Sequence, residues 1–144
     1  MKNTVAALFL ISTATAACAQ MTPVGTWRSV DDKTGQPKAE ILITANNAGI
    51  LTGVVQKSLV QSSEPNCNQC TDDRKDQPKL GMEIIRGAKK AEGKEVWEEG
   101  KILDPDNGKT YGLRMTPTDG GGKLDVRGAF GPFWRTQTWV RIAP

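Results

Sequence analysis

The chain has 144 residues, with 19 Lys plus Arg against 16 Asp plus Glu and no histidine. A net charge of +3 gives no case for nucleic-acid binding by bulk charge. The missing histidine excludes Ser-His-Asp and Cys-His catalytic arrangements, His-ligated zinc and haem attachment through Cys-x-x-Cys-His.

The first nineteen residues read as a leader. Lys2 provides a short positive start, 5–17 is an apolar, small-residue run, and Ala17-Cys18-Ala19 is a small-x-small cleavage site. The run is too short and too rich in Ala and Thr for a spanning helix. Cleavage after Ala19 leaves 125 of the 144 residues, a single domain at 20–144 with room for one core. Lys2 leaves with the leader, so the net charge falls to +2. The expected product is soluble and periplasmic or secreted. In the rival reading Cys18 is the lipidated first residue of a lipoprotein, although Thr15-Ala16-Ala17 lacks the usual Leu three positions before it. Either route leaves Cys67 and Cys70 as an even pair in an oxidising compartment.

Short strand-like runs then recur, each bounded by turn residues. Residues 24–30 lead into Asp31-Asp32-Lys33-Thr34-Gly35, and 39–44 into Asn46-Asn47-Ala48-Gly49. A strand at 50–60 precedes a long polar loop at 61–79. Strands at 80–86 and 96–103 flank a charged connector. Asp104-Pro105-Asp106-Asn107-Gly108 is a hairpin turn, because Asn-Gly tolerates the positive φ of tight hairpins. Residues 109–116, 123–130 and 135–142 complete about eight strands, with Thr118-Asp119-Gly120-Gly121-Gly122 as another turn. Little of the chain has helical periodicity. Consecutive strands with short turns predict an all-β, antiparallel, up-and-down barrel, which leaves no exposed sheet edge.

Alternation assigns faces. Tyr111, Leu113 and Met115 share one apolar face, and Leu124, Val126 and Gly128 another. Both read as interior. Trp27 and Trp139 read as core, while Trp97 and Trp134 lie nearer loops, as at a barrel mouth.

Two resemblances bear on these elements. The Gly25-x-Trp27 opening, with a basic residue late in the chain, resembles the lipocalin and calycin pattern. That pattern implies an early Trp plugging one barrel end and a late Arg packing across it, here Arg141 or Arg135. Gly25, Trp27, Trp139 and Arg141 are the resulting structural plug. The longer match runs through Gly25-Thr26-Trp27, the segment from Gly100 through Asp104-Pro105 and Asn107-Gly108-Lys109-Thr110 to Tyr111, Val126-Arg127-Gly128, and Arg135-Thr136-Gln137-Thr138-Trp139. Together these resemble the exported bacterial family catalogued as domain of unknown function 2147, which also fits the Cys67/Cys70 pair. The resemblance implies a lipocalin-like barrel and no established activity, cofactor or catalytic set.

Several motifs compete with plainer readings. Cys67-Asn68-Gln69-Cys70 reads as a disulfide stapling the long loop, against a redox-active pair or a metal site. Gly108-Lys109-Thr110 lacks the upstream Gly and the following helix of a phosphate loop. Asp104-x-Asp106-Asn107-Gly108 misses calcium-loop spacing and has Met115 where that loop needs Glu. Arg114, Arg127 and Arg135 form either a solvated outer face or an anion clamp.

The leading functional expectation is a non-catalytic binding module in the cell envelope that holds a small hydrophobic or amphipathic ligand, with Tyr111, Arg127, Trp134 and Arg135 as ligand-binding residues. The alternative is a filled barrel that meets an envelope protein partner. The third reading is a His-independent enzyme using Glu83, Asp104 or Tyr111 as acid or base. No catalytic residue, cofactor or metal is assigned, and no nucleic acid or transmembrane segment is expected.

Overall fold

The computed structural model describes residues 20–144. The leader and Cys18 lie outside the described residues. Eight antiparallel strands form a closed barrel in simple sequence order. They are β1 (Gly25–Val30), β2 (Pro37–Ala45), β3 (Leu51–Ser58), β4 (Glu83–Lys90), β5 (Trp97–Asp104), β6 (Lys109–Thr118), β7 (Lys123–Phe130) and β8 (Phe133–Ala143). The barrel closes where β1 pairs with β8, Trp27 opposite Arg141. Among the described residues no helix is long and apolar enough to cross a membrane.

The expected strands are all present, with shifted ends. β4 begins at Glu83, three residues later than expected, and runs through Arg86 to Lys90. Its second half looked like a charged connector. Lys89 and Lys90 pair with Glu98 and Trp97, so these charges belong to the strand: Lys89 points outward and Lys90 lies at the closed end of the barrel. The turn at residues 118–122 is a short 3-10 turn, Asp119–Gly121.

Register explains how the interior is filled. Tyr111, Leu113 and Met115 do face inward with Val126 and Gly128, as alternation requires. Trp97 lies three residues from inward Gly100 and would face outward on a regular strand. A bulge between them, with Glu99 at φ 64°, turns Trp97 inward, where it is 6% exposed. Trp97 therefore sits at the closed end and not at the mouth, and Lys90 lies over its ring at 5.5 Å.

The closed half is packed by Trp27, Ile43, Leu51, Ile85, Ala88, Met115 and Leu124, all buried. Gly53 and Gly100 permit this density, since a Cβ on either would press within 3.0 Å of Ile85 or Ala88. The end itself is sealed by Trp27 and Arg141. The Arg141 guanidinium lies 4.2 Å from the Trp27 ring centre. It donates to the carbonyls of Thr22 (2.6 Å), Val24 (2.7 Å), Gly121 (2.7 Å) and Gln20 (3.2 Å). The Trp27 indole N–H donates to Pro23 O at 2.7 Å. One cation thus ties together the chain entry, the β6–β7 turn and the last strand. Gly25, at φ 135°, leaves room for it, because a Cβ there would collide with the guanidinium and lie 2.8 Å from Ala143 O.

Removing this cation strands several partly buried carbonyls. Arg141→Ala is expected to lower stability by about 2–4 kcal/mol, and Trp27→Ala by about 3–5 kcal/mol. Urea unfolding curves measure both. Arg141→Lys should recover only a minor part, since a lysine cannot fork to four carbonyls and stack on the indole.

Candidate functional site

The open half of the barrel contains a cavity of about 640 Å³. Its origin is legible in the inward positions. Where the closed half has Trp27, Ile43 and Met115, the open half has Ser29, Ala39, Ser58 and Gly128. Small residues at successive inward positions leave volume that a barrel of eight strands otherwise fills. Ile41, Val55, Ile102, Val126 and Trp139 make an apolar floor and wall.

Polar groups enter from one side and from the rim. The Trp139 indole N–H donates to Gln137 Oε1 at 2.7 Å, and Gln137 Nε2 donates to Asp32 Oδ1 at 2.5 Å. Arg135 donates to the other Asp32 oxygen at 2.9 Å. A continuous chain of hydrogen bonds therefore runs from the rim to the buried Trp139. On the opposite rim Asp106 accepts Lys38 at 2.7 Å and Lys79 at 2.9 Å. Burial pushes the Asp106 carboxyl up, but the two ammonium groups outweigh it and hold it below its ordinary value. Asn107 donates to Asp104 Oδ2 at 3.1 Å and to the Tyr111 hydroxyl oxygen at 3.2 Å.

The structure gathers Tyr111, Trp134 and Arg135 around this cavity. Arg127 does not join them. It faces outward opposite Arg114, with its guanidinium 4.6 Å from the Trp134 ring centre. Of the acid–base candidates, Asp104 and Tyr111 are linked through Asn107, whereas Glu83 is engaged by Arg86 at 2.5 Å. Trp27, Gly25 and Arg141 form the plug, while Trp139 stands higher and lines the cavity. Asp32, Lys38, Lys79 and Gln137 were not singled out from sequence. The signal for Gln137 was available, since it shares strand parity with Trp139.

The long loop is folded, not free. Cys67 and Cys70 form a disulfide with both residues at most 1% exposed. Burial shuts these sulfurs from an attacking thiolate, which argues for the staple over the redox pair. Backbone pairing of Asn66 with Pro78 and the hydrogen bond from Cys67 N to Gln77 O close the loop on itself. Its cysteine turn packs on the β5–β6 hairpin. Cys67 Sγ lies 3.3 Å from Pro105 O, and Leu103 beneath is 2% exposed. Gly108, at φ 71°, allows the approach, because a Cβ there would overlap the Gln69 carbonyl and lie 2.8 Å from Cys70 N. Buried Arg74 binds Asp72 and the Glu83 carbonyl, and Arg86 binds Asp73 at 2.8 Å. Among the described residues no group of three or more Cys, Asp or Glu side chains is placed to hold a metal.

The model of the family described as "Uncharacterized protein conserved in bacteria (DUF2147)" matches residues 25–141. The chain belongs to this family. The match spans the barrel from the plug glycine Gly25 to the plug cation Arg141. Among solved structures, one described as "Protein HP1028 from the human pathogen Helicobacter pylori belongs to the lipocalin family" superposes with a TM-score of 0.69. The two share 15% identity, over 83% of this chain and 82% of the other. That likeness is one of fold, and it confirms a lipocalin-like barrel. No curated protein matches the chain.

Two outcomes follow for the loop. The Arg74 side chain and backbone N–H hold the Asp72 carboxyl at about 2, below its ordinary 3.8. A depressed carboxylate stabilises the fold above its unfolded pKa, and that contribution is lost as pH falls through the folded value. Hydrogen exchange across residues 61–79 should therefore accelerate as pH drops from 3.8 towards 2, after correction for intrinsic rates, before the barrel strands respond. Gly108→Ala should displace the cysteine turn and cost about 2 kcal/mol or more, read by urea unfolding and by protease cleavage within the loop.

Proposed function

We propose that this protein is a binding module that takes one small amphipathic molecule into the open half of its barrel. The carrying observation is the cavity itself: about 640 Å³, apolar at the floor, polar on one wall and charged at the rim. Its size falls within the usual range for small-molecule sites. The apolar part of the ligand would lie against Ile41, Val126 and Trp139. Its polar end would meet Tyr111, Asn107 and Arg135 at the rim. The rim carries Lys33, Lys38, Lys79 and Arg135 against Asp31, Asp32, Asp104 and Asp106. This balance suits a neutral or zwitterionic head better than a strongly charged one.

The open volume favours this reading over a filled barrel that serves only as a scaffold. The disulfide supports placement in an oxidising compartment, in keeping with an exported protein.

Native mass spectrometry of the purified protein with a panel of fatty acids, lysophospholipids and amphipathic dyes tests the reading. One-to-one complexes are expected. Gly128→Leu should weaken them at least about tenfold, because a Cβ at 128 meets Tyr111 only at 3.4 Å and the added branches would reach into the cavity. Unchanged binding in that variant, or no complex with any probe, would sink the proposal.

A further inference from the structure

The rim of the barrel carries more exposed apolar surface than a solvated loop needs. Phe130 is 64% exposed, Phe133 76%, Trp134 64% and Leu80 62%. All four border the cavity mouth. Three of them belong to one hairpin, Phe130-Gly131-Pro132-Phe133-Trp134, so the β7–β8 tip is an aromatic lip. Phe130 is braced edge-on against Tyr111, with ring centres 6.3 Å apart.

Immediately below the lip, the outer face of β5 to β8 is cationic. Lys101, Gly112, Ala129 and Trp134 lie in one row across four strands. Arg114 and Arg127 stand directly opposite each other in the next row. Facing like charges oppose sheet pairing. Arg114 is relieved by Glu98 at 3.0 Å. Arg127 and Lys101 have no carboxylate partner among the described residues. Arg127 instead stacks on the back of Trp134 at 4.6 Å. Asp125, one row nearer the closed end, is held by Thr138 at 2.8 Å and leaves the upper rows positive.

We propose that this face docks on an anionic phospholipid bilayer. Phe130, Phe133 and Trp134 enter the interface between headgroups and chains, where aromatic rings with one polar edge are favoured. Lys101 lies in the row of Trp134, and Arg127 and Arg114 one row back, within reach of the phosphates towards which they snorkel. The order of features along the barrel axis carries the choice of partner. An apolar tip, with Lys101 level with Trp134 and Arg127 behind it, matches the order of a membrane's layers, and it puts the cavity mouth against the lipid. The inference concerns the outer lip and stands without the cavity reading. If that reading also holds, the ligand passes between bilayer and barrel without crossing water.

The test is co-sedimentation of the full mature chain with two kinds of vesicle. One contains phosphatidylethanolamine with phosphatidylglycerol, the other phosphatidylcholine alone. Wild type should bind the anionic vesicles about tenfold more than the neutral ones at low salt. Phe133→Ser with Trp134→Ser should abolish binding to both. Arg127→Gln should reduce the preference for anionic vesicles several-fold, and Arg127→Gln with Lys101→Gln should bind both vesicles alike. Trp134 is the exposed indole, with Trp27, Trp97 and Trp139 at most 6% exposed, so its emission should shift to the blue on binding. A far-UV circular dichroism spectrum and a urea midpoint like those of wild type show that the lip variant is folded, and probe binding by the unaltered protein separates a failure here from a failure of the cavity reading. The proposal is overturned if wild type sediments with neither vesicle or if the lip variant sediments like wild type. It is equally overturned if the lip instead drives self-association in sedimentation velocity without lipid.

Discussion

The interaction on which the rest of the barrel depends is the seal made by Trp27 and Arg141. A closed barrel must bring its first and last strands together, and here the joining register is short, from Thr26 to Arg28 against residues 140–143. Arg141 compensates by binding four backbone carbonyls from two other segments while stacking on Trp27. Backbone carbonyls at a barrel end have no sheet partner, and a buried one left unpaired is costly. One guanidinium with five donors satisfies a set that no neutral side chain could reach.

Sealing one end gives the two halves different tasks. The closed half can be packed to interior density because its bottom is shut, with Gly53 and Gly100 admitting Ile85 and Ala88. The open half inherits a floor without needing to be filled, and Ser29, Ala39 and Gly128 leave it empty. Stability and binding capacity are thus separated along the barrel axis. The Cys67–Cys70 loop adds rigidity on one side of the mouth through the β5–β6 hairpin, and ion pairs at Asp32 and Asp106 tie the rim together. These exposed pairs contribute little each. Their service is to place Arg135, Gln137, Lys38 and Lys79 around the opening.

The mouth combines two surfaces usually kept apart. Its inner side is polar at the rim and apolar below, while its outer lip is aromatic with cations behind it. Both are carried by β8 through its two-fold alternation: Arg135 and Gln137 have the inner parity and Trp134 and Thr136 the outer, while Phe133, of inner parity, projects at the exposed tip. A single strand therefore sets the character of the cavity and of the lip.

Much of this was readable along the chain. Eight strands, simple antiparallel order, the Asn107-Gly108 turn and the inward faces of β6 and β7 follow from alternation and turn chemistry, which are local. The plug pair of Trp27 and Arg141 was available from the pattern of the two ends. The inward turn of Trp97 was not, because a bulge shifts parity by one and leaves no mark in composition. Arg127 and Arg135 looked alike in sequence, yet an eight-residue separation and one hairpin place them on opposite faces. The buried disulfide turn against Gly108, the Asp32–Gln137–Trp139 chain and the cavity join residues as much as about a hundred positions apart. The sequence by itself determined the strands, their order and which faces are apolar, since these depend on neighbours along the chain. Only the tertiary structure decided which carbonyls Arg141 ties together, where the volume is left and what lines it, since these depend on contacts made once the barrel has closed.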